Sequence, residues 1–259
     1  MKKILYTFVF LLFTGIFLQA QNGMYLKKKF IFKGDTLLYR VLFPDNYDRS
    51  KSYPLVLFLH GSGERGNDNE KQLLHGSSLF TDSLNRINYP AIVLFPQCPA
   101  DTSWVTLQDT PDGKFNIIDT KKPAKPLGLA KRLVDYYIKT EAVDSKRIYI
   151  LGISLGGMGT FDLICRYPKT FAAAIPVCGG VNPGRLRKIH KMPVRIYNGE
   201  SDNVVSPEFS RSAYNALKRY DSGGVEHIEY SGIGHDSWTP AFAEPDFLKW
   251  LFSNKKNDK

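Results

Sequence analysis

A serine lies at the centre of a Gly-x-Ser-x-Gly pentapeptide, residues 152–156. Residues 147–151 before it have the β-branched and aromatic side chains of a strand, and residues 157–167 after it have a helical pattern that ends before Pro168. A serine between a strand and a helix lies on a sharp turn that exposes its hydroxyl. A phosphate-binding turn is the alternative, but it requires a Lys-Ser/Thr pair that is absent here. The pattern therefore predicts that Ser154 is a nucleophile.

A serine hydroxyl needs a neutral histidine to accept its proton and a carboxylate to orient that histidine. Among the five histidines, His235 lies in a glycine-rich loop directly after the last predicted strand, at the end of a parallel sheet where sites are built. Asp202 follows the preceding predicted strand, and serine, acid, histidine is a known chain order for such triads. Glu200 is the rival acid, whereas Asp236 adjoins the base and would orient it poorly. We therefore predict that Asp202 and His235 activate Ser154.

A second glycine-rich stretch, residues 60–66, follows directly after the apolar strand predicted at residues 55–59. Backbone amides in such a loop can stabilise the negative oxygen of a tetrahedral intermediate. We expect one donor from Ser62 or Gly63 and the other from Leu155, next to the nucleophile.

Several side chains around these loops have more than one possible role. His60 is expected to brace its loop by hydrogen bonding rather than to contact a substrate. Glu64 either pairs with Arg65 and fixes the loop, or both charges are solvated. Trp104 and Trp238 either line a substrate pocket or pack in the core.

Three cysteines are an odd number for an exported protein, so at least one of them is unpaired within the chain. Cys165 and Cys178 are expected to be small buried hydrophobic residues, and a disulfide is possible but cannot be read from the sequence. None of the three has the spacing of zinc ligands, and no cluster of ligand residues predicts a metal or an organic cofactor.

Short apolar strands alternate with helical patterns along the chain from Tyr25 onwards. Strands are predicted at residues 25–32, 36–43, 55–59, 91–95, 147–151, 171–177, 193–197 and 225–230, and helices at residues 126–140, 157–167, 206–220 and 244–252. The alternation predicts one α/β domain with a mostly parallel sheet of about eight strands, covered by helices on both faces. Residues 102–125 fit neither pattern and are either a loop near the site or a plain surface connection.

Residues 1–20 have the form of a secretory signal peptide. Two lysines precede an apolar run that ends near a small residue, Ala20, and the run is too short to span a bilayer comfortably. We expect residues 21–259 to be a mature catalytic domain, secreted or periplasmic, without stable membrane anchoring. An uncleaved N-terminal anchor is the alternative.

The formal net charge of +10 does not by itself indicate a nucleic-acid partner. The basic residues are mostly scattered, and no basic stripe is interleaved with stacking aromatic side chains. A basic surface without a nucleic-acid partner is therefore expected. The sequence leaves the oligomeric state open.

The motifs named above resemble those of α/β-hydrolase-fold esterases of the polyhydroxybutyrate-depolymerase and feruloyl-esterase-like kind. The similarity is greatest to secreted bacterial esterases with a His-Gly-(Ser/Ala)-Gly-Glu-Arg-Gly-x-Asp-Asn motif, which is present here at residues 60–69. Further matching stretches are residues 96–99, 103–104, 152–157, 171–180 and 235–238. The resemblance covers residues 53–252 and implies Ser154 as nucleophile, Asp202 as acid and His235 as base.

The residues and the resemblance together predict a serine carboxylesterase that works through an acyl-enzyme and needs no cofactor. The expected substrates are small-molecule or carbohydrate esters with short acyl or aryl groups, such as acetyl or feruloyl esters on plant polysaccharide. Two alternatives remain open: a prolyl-oligopeptidase-like serine peptidase, and a non-catalytic binding module that retains the fold. Hydrolysis of peptide anilides would favour the peptidase, and failure to react with a fluorophosphonate would favour the binding module.

Overall fold

The computed structural model of the protein describes residues 23–111, 115–220 and 224–256 of the 259-residue chain. The predicted signal peptide, residues 1–20, lies outside the described residues, so its cleavage and the export of the protein stay predictions. Within the described ranges, none of the helices combines the length and the apolar character that crossing a bilayer requires.

Eight strands form one mostly parallel sheet, which confirms the predicted fold class. The strands in chain order are β1 (Leu26–Phe32), β2 (Asp35–Leu42), β3 (Tyr53–Leu59), β4 (Ile92–Pro96), β5 (Leu107–Asp109), β6 (Phe115–Ile117), β7 (Val143–Ile153), β8 (Ala173–Val177), β9 (Val194–Gly199) and β10 (Val225–Tyr230). The order across the sheet is β1-β2-β4-β3-β7-β8-β9-β10, while β5 and β6 form a separate antiparallel pair. The pairs β1–β2 and β2–β4 are antiparallel, and the other pairs are parallel.

The central strands are apolar along their whole length because helices cover both faces of the sheet. Every residue of β3, β4 and β8 is buried, as continuous apolar runs predict for strands of this kind. The edge strand β1 is mostly exposed and carries the lysine run 27–29. Lysines on an edge strand oppose pairing with another chain.

Helices lie on both sides of this sheet and complete two apolar core clusters. They are α1 (Ser77–Thr81), α2 (Ser83–Asn88), α3 (Lys125–Thr140), α4 (Leu155–Arg166), α5 (Pro207–Arg219), α6 (Trp238–Ala243) and α7 (Phe247–Ser253). Helices α3, α4 and α5 contribute side chains to the cluster on one face, and α1, α6 and α7 contribute to the cluster on the other.

The long elements lie where the sequence predicts them, and the short ones differ. Helices α1, α2 and α6 have only five or six residues, and so short a segment shows no clear helical period of apolar residues in the sequence. The helix predicted at residues 244–252 begins only at Phe247. Glu244 precedes a proline and is extended, because a residue before proline disfavours the helical conformation.

Glycine is required where α4 begins, because the first turn of this helix lies directly against the end of β3. A Cβ atom on Gly156 would lie 2.0 Å from the carbonyl oxygen of Leu59 and 2.6 Å from that of His60. Both atoms belong to the backbone, so a side chain fits only if the helix moves away from the strand. The second glycine of the pentapeptide is therefore a packing requirement.

Replacement Gly156→Ala is expected to destabilise the protein by at least about 3 kcal/mol, because the new methyl group displaces α4 from β3. The matched control is Gly128→Ala inside α3, where the nearest atom to the new Cβ is 3.4 Å away. That change should stabilise the protein by about 0.5–1 kcal/mol through helix propensity. Urea unfolding of the two variants measures both effects, and equal stabilities would contradict the packing argument.

Candidate active site

Ser154 lies on the turn between β7 and α4 with a strained backbone. Its φ of 52° and ψ of −118° fall outside the regions that residues other than glycine usually adopt. Its amide donates to the carbonyl of Val177 in β8 at 2.9 Å, and its carbonyl accepts from the amide of Met158 at 3.0 Å. Such strain persists only where the surrounding structure holds it, and strained residues cluster at functional sites.

Three side chains from separate loops form one hydrogen-bonded row. The Nε2 atom of His235 lies 2.9 Å from Ser154 Oγ, and its Nδ1 atom lies 2.8 Å from Asp202 Oδ2. A neutral imidazole that donates from Nδ1 to the carboxylate leaves Nε2 free to accept the serine proton. The structure thus brings together the three residues that the sequence singled out.

The carboxylate of Asp202 is held as an anion. Its side chain is 0% exposed, and its Oδ1 atom accepts hydrogen bonds from the amides of Val204 and Val205, both at 2.9 Å. Burial alone would raise the pKa of this carboxyl group, but the hydrogen bonds from His235 and the two amides outweigh burial and lower the pKa. Asp202 is therefore ionised at neutral pH and fixes the orientation of the imidazole.

The other two carboxylates considered from the sequence have different surroundings. Glu200 accepts hydrogen bonds from the Ser231 hydroxyl at 2.6 Å and from the Gly232 amide at 3.1 Å. It thereby holds the loop that leads to His235. Asp236 is exposed. Neither carboxylate is the partner of the imidazole.

The loop after β3 lies directly beside the nucleophile. A Cβ atom on Gly61 would lie 3.6 Å from the Cβ of Ser154. The next residues, Ser62–Glu64, form a single 3₁₀ turn whose first two residues are exposed. Leu155 is the first residue of α4, so its amide has no acceptor within the helix. The backbone elements expected to stabilise an oxyanion therefore border Ser154, and their role stays a prediction.

His60 braces this loop from the inside, as the sequence led us to expect. Its Nε2 atom accepts from the Cys98 amide at 2.9 Å, and its Nδ1–H donates to the Gly61 carbonyl at 2.6 Å. Its own carbonyl accepts from Trp104 Nε1 at 3.0 Å. Burial lowers the pKa of His60 to about 4, so the ring is neutral at pH 7.

The two tryptophans expected near the site have different positions. Trp104 is fully buried in the core and packs against the His60 ring, so of its two possible roles it has core packing and does not line a pocket. It fits beneath the loop because its indole N–H finds a backbone acceptor there. Trp238 is half-buried, and its ring meets the ring of His235 edge-on with centroids 5.5 Å apart. Of the two, Trp238 borders the site.

One polar pair at the site was missed from the sequence. Glu64 does not pair with Arg65, whose guanidinium group donates to two backbone carbonyls instead. The Oε1 atom of Glu64 lies 3.7 Å from His75 Nε2, and the His75 ring packs against Trp238 with centroids 5.3 Å apart. No motif surrounds His75 in the chain, so only the fold reveals its proximity.

A cleft of about 990 Å³ opens beside Asp202. Phe115 and Ile117 from β6 line it together with Phe209 from α5, and the two phenylalanine rings stack with centroids 5.9 Å apart at an interplanar angle of 4°. Residues 115–118 of the segment whose role the sequence left open therefore line a cleft next to the acid of the candidate site.

Charged side chains attach this segment to α4. Arg185 contacts Asp119 at 3.1 Å and Asp162 at 2.6 Å. Arg166 contacts Asp162 at 2.7 Å and donates to the carbonyl of Thr120 at 2.9 Å. These contacts fix the chain directly after β6, so the cleft is preformed.

The three cysteines are buried free thiols. Burial raises the pKa of Cys178 to about 12, so this residue is a neutral thiol at pH 7. Across the described ranges, Cys178, Asp202 and His235 are the one group of potential metal ligands found close together, with ligand atoms within 4.8 Å of one another. Two of the three already belong to the hydrogen-bonded row, so this cluster is part of the same site.

A mostly parallel sheet with a serine on a strained strand-to-helix turn defines an α/β-hydrolase. Residues 47–248 match the phospholipase/carboxylesterase family, and the chain belongs to that family. The family and the carboxylesterases among its relatives establish a serine carboxylic ester hydrolase.

Three known proteins illustrate the similarity. Carboxylesterase SOBER1 of Arabidopsis thaliana is 26% identical over 199 residues, which are 70% of this chain and 82% of that protein. A bifunctional acetylxylan esterase/xylanase of Neocallimastix patriciarum is 26% identical over 154 residues, which are 59% of this chain and 20% of that protein. The crystal structure of a thermostable esterase has a TM-score of 0.84 and 33% identity, over 92% of this chain and 64% of that chain. The chain therefore spans less than two thirds of the crystallised esterase.

His60 makes the stability of the protein depend on pH. Its pKa is about 4 in the folded state and about 6.5 in an unfolded chain, so the unfolded chain binds more protons between these values. Its contribution to stability is present above pH 6.5 and is lost as the pH falls towards 4, by about 3 kcal/mol in total.

The variant His60→Gln, whose amide oxygen can still accept from Cys98, should lose this part of the pH dependence. Urea unfolding at pH 7 and pH 4 measures it, with His190→Gln at a partly exposed histidine as control. Identical pH dependence in wild type and His60→Gln would contradict the assignment.

Proposed function

We propose that the protein is a carboxylesterase that hydrolyses short-acyl or aryl esters through an acyl-enzyme formed on Ser154. The observation that carries the proposal is the continuous row from Ser154 Oγ through the His235 imidazole to Asp202, with separations of 2.9 Å and 2.8 Å. A row of this kind makes a hydroxyl nucleophilic at neutral pH without any cofactor.

The reaction proceeds in two halves. Ser154 Oγ attacks the ester carbonyl carbon while His235 Nε2 takes the hydroxyl proton, and Asp202 stabilises the resulting imidazolium. The imidazolium gives the proton to the oxygen of the departing alcohol, which leaves an acyl-serine. A water molecule, deprotonated by His235, then attacks the acyl carbon, and the acid leaves as the serine recovers its proton.

Backbone amides are proposed to stabilise the tetrahedral oxygen in both halves. One donor is Leu155, at the N-terminus of α4, where the helix dipole favours negative charge. The other is Ser62 or Gly63, in the 3₁₀ turn beside the nucleophile. These amides are fixed before the reaction, so they act on charge that develops only in the transition state.

Acetyl and feruloyl esters on plant polysaccharide are the substrates we propose. The cleft beside Asp202 is much larger than an acetyl group requires, and the stacked rings of Phe115 and Phe209 provide an apolar aromatic surface for an aryl group. An acetylxylan esterase/xylanase among the relatives supports a carbohydrate ester. The signal-like residues 1–20 support export, which would bring the enzyme to an extracellular polymer.

The variant Ser154→Ala should lose turnover of p-nitrophenyl acetate by up to about a million-fold, because the three side chains act as a unit. Ser253→Ala on α7, an exposed serine, is the matched control and should keep wild-type turnover. A fluorophosphonate should label the wild type and the control but not Ser154→Ala. Wild-type turnover in Ser154→Ala would refute the mechanism.

The variant Ile117→Trp should narrow the cleft and exclude bulky aryl groups. We expect the ratio of kcat/KM for methyl ferulate to kcat/KM for p-nitrophenyl acetate to fall at least about tenfold, since lost apolar contacts and steric exclusion act on the larger acyl group. Gln108→Trp, on the exposed strand opposite in the same hairpin, is the control. An unchanged ratio in Ile117→Trp would show that the aryl group binds elsewhere.

A further inference from the structure

Ser154 is bordered by different chemistry on its two sides. Strand β3 lies on one side of β7 in the sheet, and β8 and β9 lie on the other. The aromatic cleft is built from the loops after β8 and β9, together with β6 and α5. The loop after β3 instead carries a carboxylate, Glu64, which the mechanism does not use.

The Glu64 carboxylate has one polar contact, with His75, and spare acceptor capacity. Its side chain is only 9% exposed, and within the described part of the chain no group donates a hydrogen bond to it. The imidazole of His75 is 3.7 Å away, which is too long for a hydrogen bond. A carboxylate with spare acceptor capacity can take a hydrogen bond from a donor outside the chain.

The carboxylate also faces the nucleophile. A Cβ atom on Gly61 would lie 3.0 Å from Glu64 Oε2 and 3.6 Å from Ser154 Cβ. Both atoms therefore adjoin the same small space beside Gly61. A substrate whose ester carbonyl reaches Ser154 lies within reach of this carboxylate.

The aromatic rings near Glu64 indicate which part of the substrate binds beside this carboxylate. Trp238 contacts the rings of both His75 and His235, with centroid distances of 5.3 Å and 5.5 Å. His235 must deliver a proton to the leaving alcohol oxygen, so this oxygen lies next to its Nε2 atom. The alcohol part of the ester therefore passes along Trp238 towards His75 and Glu64.

We propose that Glu64, supported by His75, binds a hydroxyl group on the alcohol part of the ester. This inference rests on the proposed esterase function and defines its substrate class as esters of polyhydroxylated alcohols. A hydroxyl donates to the carboxylate and satisfies it, whereas an alkyl alcohol leaves it unpaired. The hydroxyl also offsets the repulsion between Glu64 and the oxyanion that forms at Ser154.

A matched pair of acetates tests this subsite: glycerol monoacetate and propyl acetate have the same carbon skeleton in the alcohol and differ in two hydroxyl groups. The wild type should show a kcat/KM for glycerol monoacetate at least about tenfold above that for propyl acetate. Glu64→Met should lower this ratio about tenfold, and Glu64→Gln, which keeps a neutral acceptor, should lower it less. Glu141→Met, two residues before the start of the central strand β7, is the control and should keep the ratio.

The outcomes separate this inference from the proposed function. A wild type that releases acetate from neither ester, nor from p-nitrophenyl acetate, would refute the esterase proposal itself. A wild type that hydrolyses both esters, with the same ratio in both Glu64 variants, would overturn the hydroxyl subsite. Equal losses on both esters in the two Glu64 variants would also overturn it, because they would show that Glu64 only holds the loop.

Discussion

The contact between the first turn of α4 and the carboxyl end of β3 is the constraint on which the rest of the site depends. Glycine at position 156 lets the helix backbone approach the carbonyl oxygens of Leu59 and His60. This approach places the serine turn beside the loop after β3, and the strained conformation of Ser154 follows from it. If the helix were further from the strand, the nucleophile and the loop amides could not act on the same carbonyl group.

The neighbouring loops are joined by equally close packing. A Cβ atom on Gly199 would lie 2.2 Å from the carbonyl of Gly234, so the loop that carries the acid and the loop that carries the base are in backbone contact. Hydrogen bonds keep Asp202 charged although it is buried, and burial itself keeps His60 neutral. The protonation states at the site are thus set by burial at His60 and by hydrogen-bond partners at Asp202.

Local signals in the chain reveal a residue when its function requires a local conformation. Ser154 could be found because a strained turn needs glycines on both sides, and His235 because it lies in a glycine-rich loop after a strand. Glu64 and Trp104 could be singled out, but their roles stayed open. An ion pair or a pocket depends on neighbours that are distant in the chain. His75, in the turn before α1, and Phe209, in α5, carry no local signal, because only contacts with residues distant in the chain bring them to the site.

The sequence by itself determined the α/β sheet, its covered faces and the order of serine, acid and base, because strand and helix periods and glycine turns are local properties. The tertiary structure alone decided which side chains border the nucleophile. It placed residues 115–118 along the cleft, buried Trp104 beneath the loop of His60, and left the carboxylate of Glu64 near Ser154. These outcomes depend on packing between elements far apart in the chain, where volume and hydrogen-bond partners decide the position of each side chain.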